Sequence, residues 1–258
     1  MTGTQNGAQT MVCHAFSFTT SFRYGFQVSE FQGMSLKSAN ICTVPQRKHD
    51  IFGDNRWETM HERYVSEARN SEADVVFVGD SIVQQLQLTT LWNEKINPLH
   101  CLNFGIGGDR VENVLWRLLN GELEFACTPK VVVLFVGTNN TDCTAQQVYE
   151  GICHLIDVIS TKLGDVKIVL PTLLPRGQHP SANRERNMLV NELCMNNFDS
   201  VSVNPNVHVV PIHEDIVQGD GTISHHLMHD YLHLTDEGYS KVFGPVYEKL
   251  AALMSNTI

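Results

Sequence analysis

A serine hydroxyl becomes a nucleophile when an imidazole can take its proton, and that imidazole needs an acceptor on its far nitrogen to hold the correct tautomer. Ser81 lies in Gly79-Asp80-Ser81, directly after an apolar run and at the start of a helical pattern, where its hydroxyl would stand exposed beside its own backbone N–H. Asp230 and His233 are three residues apart, close enough for the carboxylate to reach Nδ1 while Nε2 faces the serine. Asp220 and Asp236 are rival acids, and His225, His226 and His229 are rival imidazoles. A helix-start serine can also be a plain cap, and Asp80 a cap or loop brace with no chemical step.

Acyl transfer also needs donors for the oxyanion. The Gly105-Ile-Gly107-Gly108-Asp109 and Gly137-Thr138-Asn139-Asn140 loops can supply them, since Gly108 lets a backbone N–H approach closely and the Asn139 amide is a neutral donor. The expected oxyanion site is therefore Ser81 N–H, Gly108 N–H and the Asn139 side chain.

Competing chemistries fit less well. His225, His229 and His233 are spaced four apart, as zinc ligands on a helix can be, but no H-E-x-x-H motif or thiol cluster accompanies them, so no metal is expected. Gly105 and Gly107 are followed by Arg110 where a dinucleotide fingerprint needs its third glycine, and no phosphate-binding G-x-x-x-x-G-K-[ST] loop occurs. Cys143 has no base at recognisable spacing and reads as structural. No cofactor is expected.

These residues must be carried by strands that end together. Short continuous apolar runs at 75–79, 99–104, 131–136, 166–170 and 207–211 read as strands buried on both faces. Helix-length amphipathic segments follow Ser81, Val111, Ala145, Ala182 and Thr235, and a polar helical segment precedes the first strand. The alternation predicts parallel strands joined by crossovers, an α/β class three-layer sandwich in which function collects at the C-terminal strand ends. Thr235 can cap the last helix, with Asp236 and Glu237 in its first turn. Residues 1–54, rich in Ser, Thr, Gln and Gly with scattered aromatics, read as an N-terminal extension whose composition suits a poorly ordered terminus; 55–258 read as one domain.

Composition bounds the rest. With 258 residues, 42% hydrophobic and 18% charged, and no long apolar run, the chain has the profile of a soluble globular protein without a transmembrane segment. The formal charge of −10 argues against nucleic acid. Seven scattered cysteines without a C-x-x-C pair suggest reduced thiols, and with no basic patch and apolar segment at the N-terminus, a cytoplasmic location is expected. Asn139-Asn140-Thr141 matches a glycosylation sequon, and a glycan there would block the proposed donor, which fits the same location.

The four blocks in this order, Gly-Asp-Ser81, Gly108, Gly-Thr-Asn139 and Asp230-x-x-His233, resemble the SGNH/GDSL hydrolase family. Within it, the stretches at 102–109, 114–118, 120–124, 173–177 and 220–226 resemble the catalytic alpha subunits of platelet-activating factor acetylhydrolase IB, a similarity spanning about Asn55 to Met254. That resemblance implies a flavodoxin-like fold and metal-independent removal of an sn-2 acetyl group from an ether phospholipid. It also implies homo- or heterodimers of catalytic subunits and a WD-repeat regulatory partner. It assigns an acyl pocket to Ile82, where the family usually has Leu, and Leu232. A general short-acyl or carbohydrate acetylesterase shares the same residues, and an interaction protein that chiefly binds the WD-repeat partner is the alternative outside catalysis.

Overall fold

In the computed structural model, which describes residues 39–198, 204–212 and 216–255, five strands form one parallel sheet in the order β2-β1-β3-β4-β5. They are β1 (Val75–Gly79), β2 (Cys101–Gly105), β3 (Val131–Phe135), β4 (Lys167–Pro171) and β5 (Val207–Val210). Every residue of β1 and β3 is buried, as expected for β-branched and aromatic runs in a sheet covered on both sides. β1 pairs in register with both neighbours, Gly79 opposite Gly105 of β2 and Phe135 of β3, so these three strands end level.

The helices are α1 (Arg56–Asn70), α2 (Ser81–Leu86), α3 (Val111–Arg117), α4 (Ala145–Leu163), α5 (Ala182–Phe198) and α6 (Asp236–Ser255). Helices α3, α4 and α5 pack consecutively in one layer. On α6, Phe243 packs on Phe135 of β3 and the Tyr239 hydroxyl donates to Ile82 O of α2 at 2.8 Å. α1 stacks Trp57 near Trp116 of α3, and its Tyr64 hydroxyl donates to Gly105 O at 2.8 Å. The result is the expected three-layer α/β/α sandwich. The strands lie within one or two residues of their expected ranges, and the Thr235 hydroxyl accepts from Gly238 N as a helix cap.

Strand order places the functional loops. After β2 the chain passes over β1 to reach β3, so the loops after β1 and β3 diverge and open a crevice at the C-terminal strand ends. Close approach is enabled by Gly105: a Cβ there would sit 2.3 Å from Gln84 N, so only glycine lets α2 start against the end of β2.

The sequence places the start of the domain at Asn55, but the packed unit runs over Ala39–Ile258. Cys42 is fully buried, Asn40 Nδ2 donates to Gln147 O of α4 at 3.0 Å, and Gln46 exchanges hydrogen bonds with Glu112 and Asn113 of α3. Residues 1–38 of the expected extension lie outside the described residues.

Candidate active site

Asp80, not Ser81, caps α2: its Oδ1 accepts from Ile82 N at 2.9 Å. With the capping role filled by its neighbour, the Ser81 hydroxyl is left for other work, and Oγ lies 2.9 Å from His233 Nε2. His233 Nδ1 is 2.7 Å from Asp230 Oδ2. The structure thus brings together the three side chains singled out in the sequence, Ser81 and His233 across 152 residues of chain.

The loop bearing Asp230 and His233 is built tightly. Asp230 Oδ1 accepts from the backbone N–H groups of Leu232 and His233 at 3.1 and 2.7 Å. Tyr231 between them adopts φ +60°, an uncommon conformation for a non-glycine residue, and its carbonyl accepts from Gly177 N at 2.8 Å. Partial burial alone would raise the Asp230 pKa, but the two backbone donors and the His233 ring outweigh it and hold the carboxyl at about 2.

The rivals are engaged elsewhere. Asp236 Oδ1 accepts from Thr90 N, and Asp220 accepts from Thr222. Residues 225–233 form a succession of turns rather than a helix, so the spacing of four does not align three imidazoles. Among the described residues, the metal-capable donors that converge, within 4.8 Å of one another, are His229, Asp230 and His233, two of which already pair with each other.

The glycine loop closes against Ser81. Asp109 N–H donates to Ile106 O at 3.2 Å, Gly108 has φ +72°, and a Cβ on Gly107 would lie 3.9 Å from Ser81 Cβ. Asn139 donates one amide N–H to Asp109 O at 2.9 Å, which ties the third expected donor to this turn; the amide carries a second hydrogen. Ile82 is buried in the core, whereas Leu232 is half-buried beside the base.

Much of what holds these loops escaped the reading of the sequence. Arg117, fully buried, donates to Gly79 O and Phe104 O at 3.2 and 3.1 Å, to Asp109 Oδ2 at 2.8 Å, and to Glu122. It thereby ties the ends of β1 and β2 to the glycine loop. Burial disfavours the guanidinium charge, but Glu122 and Asp109 more than offset this and raise its pKa. Under the Asn139 loop, Arg176 Nη1 and Arg186 Nη2 donate to Thr138 O at 2.7 and 3.1 Å. The buried Asn140 accepts from Val111 N and donates to Glu112. An arginine within the apolar 111–118 stretch, flanked by Asp109 and Glu122, was the available signal for this network. Cys143 sits 3.6 Å from Cys42, sulfur to sulfur, inside the fold.

A cleft of about 610 Å³ opens beside the glycine loop, walled by Phe52, Met60, Gln84, Gly107 and Gly108 among others. Ser81 and His233 do not line it, so it adjoins them rather than containing them.

The profile of the GDSL-like lipase/acylhydrolase family matches residues 77–241, a span holding Ser81, Gly108, Asn139, Asp230 and His233. The chain belongs to this family. It is accordingly an acylhydrolase by descent, a class of ester hydrolase. It is 44% identical over 224 residues to platelet-activating factor acetylhydrolase IB subunit alpha2 of Rattus norvegicus, covering 87% of this chain and 96% of that one. Against subunit alpha1 of Pongo abelii the identity is 44% over 216 residues, covering 84% and 92%. A GDSL-like lipase from Bacteroides thetaiotaomicron shares the fold with TM-score 0.57 at 20% identity, covering 74% of this chain and 98% of that one. No helix among the described residues is long and apolar enough to cross a membrane.

Proposed function

We propose that this acylhydrolase is a serine esterase that removes the sn-2 acetyl group of platelet-activating-factor-like ether phospholipids through an acetyl-serine intermediate. The observation that carries the reading is the unbroken chain from Ser81 Oγ through His233 to Asp230, set against the turn that bears Gly108. The acetyl-lipid specificity draws on the relatives, which are named as subunits of platelet-activating factor acetylhydrolase IB.

In this mechanism His233 Nε2 takes the Ser81 proton as Oγ attacks the ester carbonyl. The oxyanion is met by Ser81 N–H, Gly108 N–H and the free Asn139 amide hydrogen. Collapse breaks the bond to the glycerol oxygen, which leaves as an alcohol with the proton from His233. Water then attacks the acetyl-serine, His233 takes its proton, and acetate departs while Ser81 regains its hydrogen. Asp230 stays ionised and keeps the Nδ1 proton in place. Leu232 bounds the acyl pocket with the buried Ile82 behind it, no metal takes part, and the cleft beside the glycine loop has room for the non-acyl part of a lipid.

We further read the chain as one catalytic subunit of a cytoplasmic homo- or heterodimer able to engage a WD-repeat regulatory subunit, because its relatives are named as subunits. Size-exclusion chromatography with light scattering tests the dimer, and a monomer at micromolar concentration overturns it.

The deciding experiment measures acetate release from an sn-2 acetyl ether phospholipid by the wild type and Ser81→Ala, with a longer-acyl lipid, an acetylated sugar and a chelator in parallel. Cleavage confined to the acetyl lipid, indifferent to chelator and lost in the variant, supports the proposal. Preference for the acetylated sugar replaces the substrate, and activity retained by Ser81→Ala removes the nucleophile.

A further inference from the structure

Residues 106–109 form a four-residue turn closed by the Asp109 N–H to Ile106 O bond, with the positive φ confined to its third residue, Gly108. That pattern is a type II turn. Types I and II differ by rotation of the central peptide, here the one joining Gly107 to Gly108. With glycine on both sides, sterics do little to resist that rotation. One orientation presents the Gly108 N–H to a substrate oxyanion; the rotated one presents the Gly107 carbonyl, a dipole of the wrong sign.

A side chain from outside the turn grips this peptide. Lys48 Nζ donates to Gly107 O at 2.7 Å and lies 3.4 Å from Asp109 Oδ1. Asp109 is anchored in turn by Arg117 Nε at 2.8 Å and Trp57 Nε1 at 2.7 Å. The ammonium is therefore fixed between a buried carboxylate and the carbonyl half of the peptide whose other half is the proposed oxyanion donor. A cation on that carbonyl also polarises the N–H across the amide and strengthens it as a donor.

We propose that Lys48 is a positioning residue for ester hydrolysis: by holding the Gly107 carbonyl, it keeps the Gly108 N–H turned toward the developing oxyanion and sharpens its donor strength. This rests on the reading that Gly108 donates to the oxyanion. Lys48 acts through the turn and touches no reacting atom.

The test compares Lys48→Met, Lys48→Arg and Lys48→Ala with wild type in acetyl-ester turnover, in the rate of Ser81 phosphonylation by an organophosphorus ester, and in thermal unfolding. Lys48→Met should lower kcat and the phosphonylation rate by about 10- to 100-fold, with KM changed less than about twofold and the folded fraction at assay temperature unchanged. Lys48→Arg should recover most of the loss, and added methylammonium should restore Lys48→Ala in a saturable way. Wild-type rates in Lys48→Met overturn the proposal, as does a loss that neither arginine nor methylammonium repairs. Phosphonylation needs the Ser–His–Asp relay and the oxyanion donors but not the lipid. A wild type that phosphonylates at Ser81 yet ignores the acetyl lipid therefore removes the substrate reading while the Lys48 comparison is still decided. A wild type that does neither removes both.

Discussion

The Asp230 carboxylate holds His233 at two points: Oδ1 accepts from the His233 backbone N–H and Oδ2 meets ring Nδ1, each at 2.7 Å. The same side chain thus sets both the backbone and the ring of the base, so its loss should disturb tautomer and placement together. Asp230→Asn should lower kcat by about 10³- to 10⁴-fold while leaving thermal unfolding within a few degrees, because the carboxylate is half-exposed. Steady-state kinetics with circular dichroism melting checks this.

Asn139 shares its amide between Asp109 O and, in the proposed mechanism, the oxyanion. Asn139→Ala should cost about 10²- to 10³-fold in kcat with little change in KM, the signature of a contact made chiefly in the transition state. Equal losses in binding and turnover would assign the residue to ground-state binding instead.

Arg117 has no exposed side-chain surface and faces two acids, Asp109 and Glu122, that are equally buried. Arg117→Met leaves Asp109 with only Lys48 and Trp57 and Glu122 with only the His61 ring, and takes one donor from each of two strand-end carbonyls. The expected loss is about 3–5 kcal/mol in unfolding free energy by urea titration, since a broken buried pair strands an uncompensated charge. Activity should fall with stability, in contrast to Lys48→Met.

Asp80 predicts a pH dependence of stability. Burial, with Asp109 nearby, pushes its carboxyl up to about 7, and Oδ2 finds no partner among the described residues. Between the unfolded value near 4 and about 7 the folded state holds a proton that the unfolded state has lost, so this group's contribution declines as pH rises through that window, by up to about 1.4 kcal/mol per unit. Asp80→Asn keeps a cap acceptor and removes the ionisation. Its melting temperature relative to wild type should therefore climb from pH 5 to pH 8. A constant difference across that range would show that Asp80 does not titrate there.

The parts visible in the sequence were those governed by local pattern. Doubly buried strands must be continuous apolar runs, so β1 and β3 stood out. Gly79-Asp80-Ser81 and Asp230-x-x-His233 are each weak signals with rivals nearby, and it is their order together with the Gly108 and Asn139 blocks, matched to a family, that singles them out. Asp80's capping role was one of two readings open to it, and only the hydrogen bond to Ile82 decides it. Lys48, Arg117 and Arg186 acquire roles from partners far along the chain: Gly107 lies 59 residues from Lys48, Gly79 lies 38 from Arg117, and Thr138 lies 48 from Arg186. No local period encodes such pairings. The packing of Cys42 and Gln46 is hidden in the sequence for the same reason, since it exists only once α3 and α4 are in position.

The 152 residues separating Ser81 from His233 also order events in time. During synthesis at about 5–20 residues per second, Ser81 leaves the ribosome several seconds or more before His233, the base of the proposed mechanism. The Gly108 and Asn139 loops and four of the five strands are made in that interval, so Ser81 meets its scaffold before the base proposed for it. In the proposed mechanism hydrolysis must wait for the loop ahead of α6, and a chain halted before that point lacks both His233 and the core face that α6 supplies through Tyr239, Phe243 and Val246.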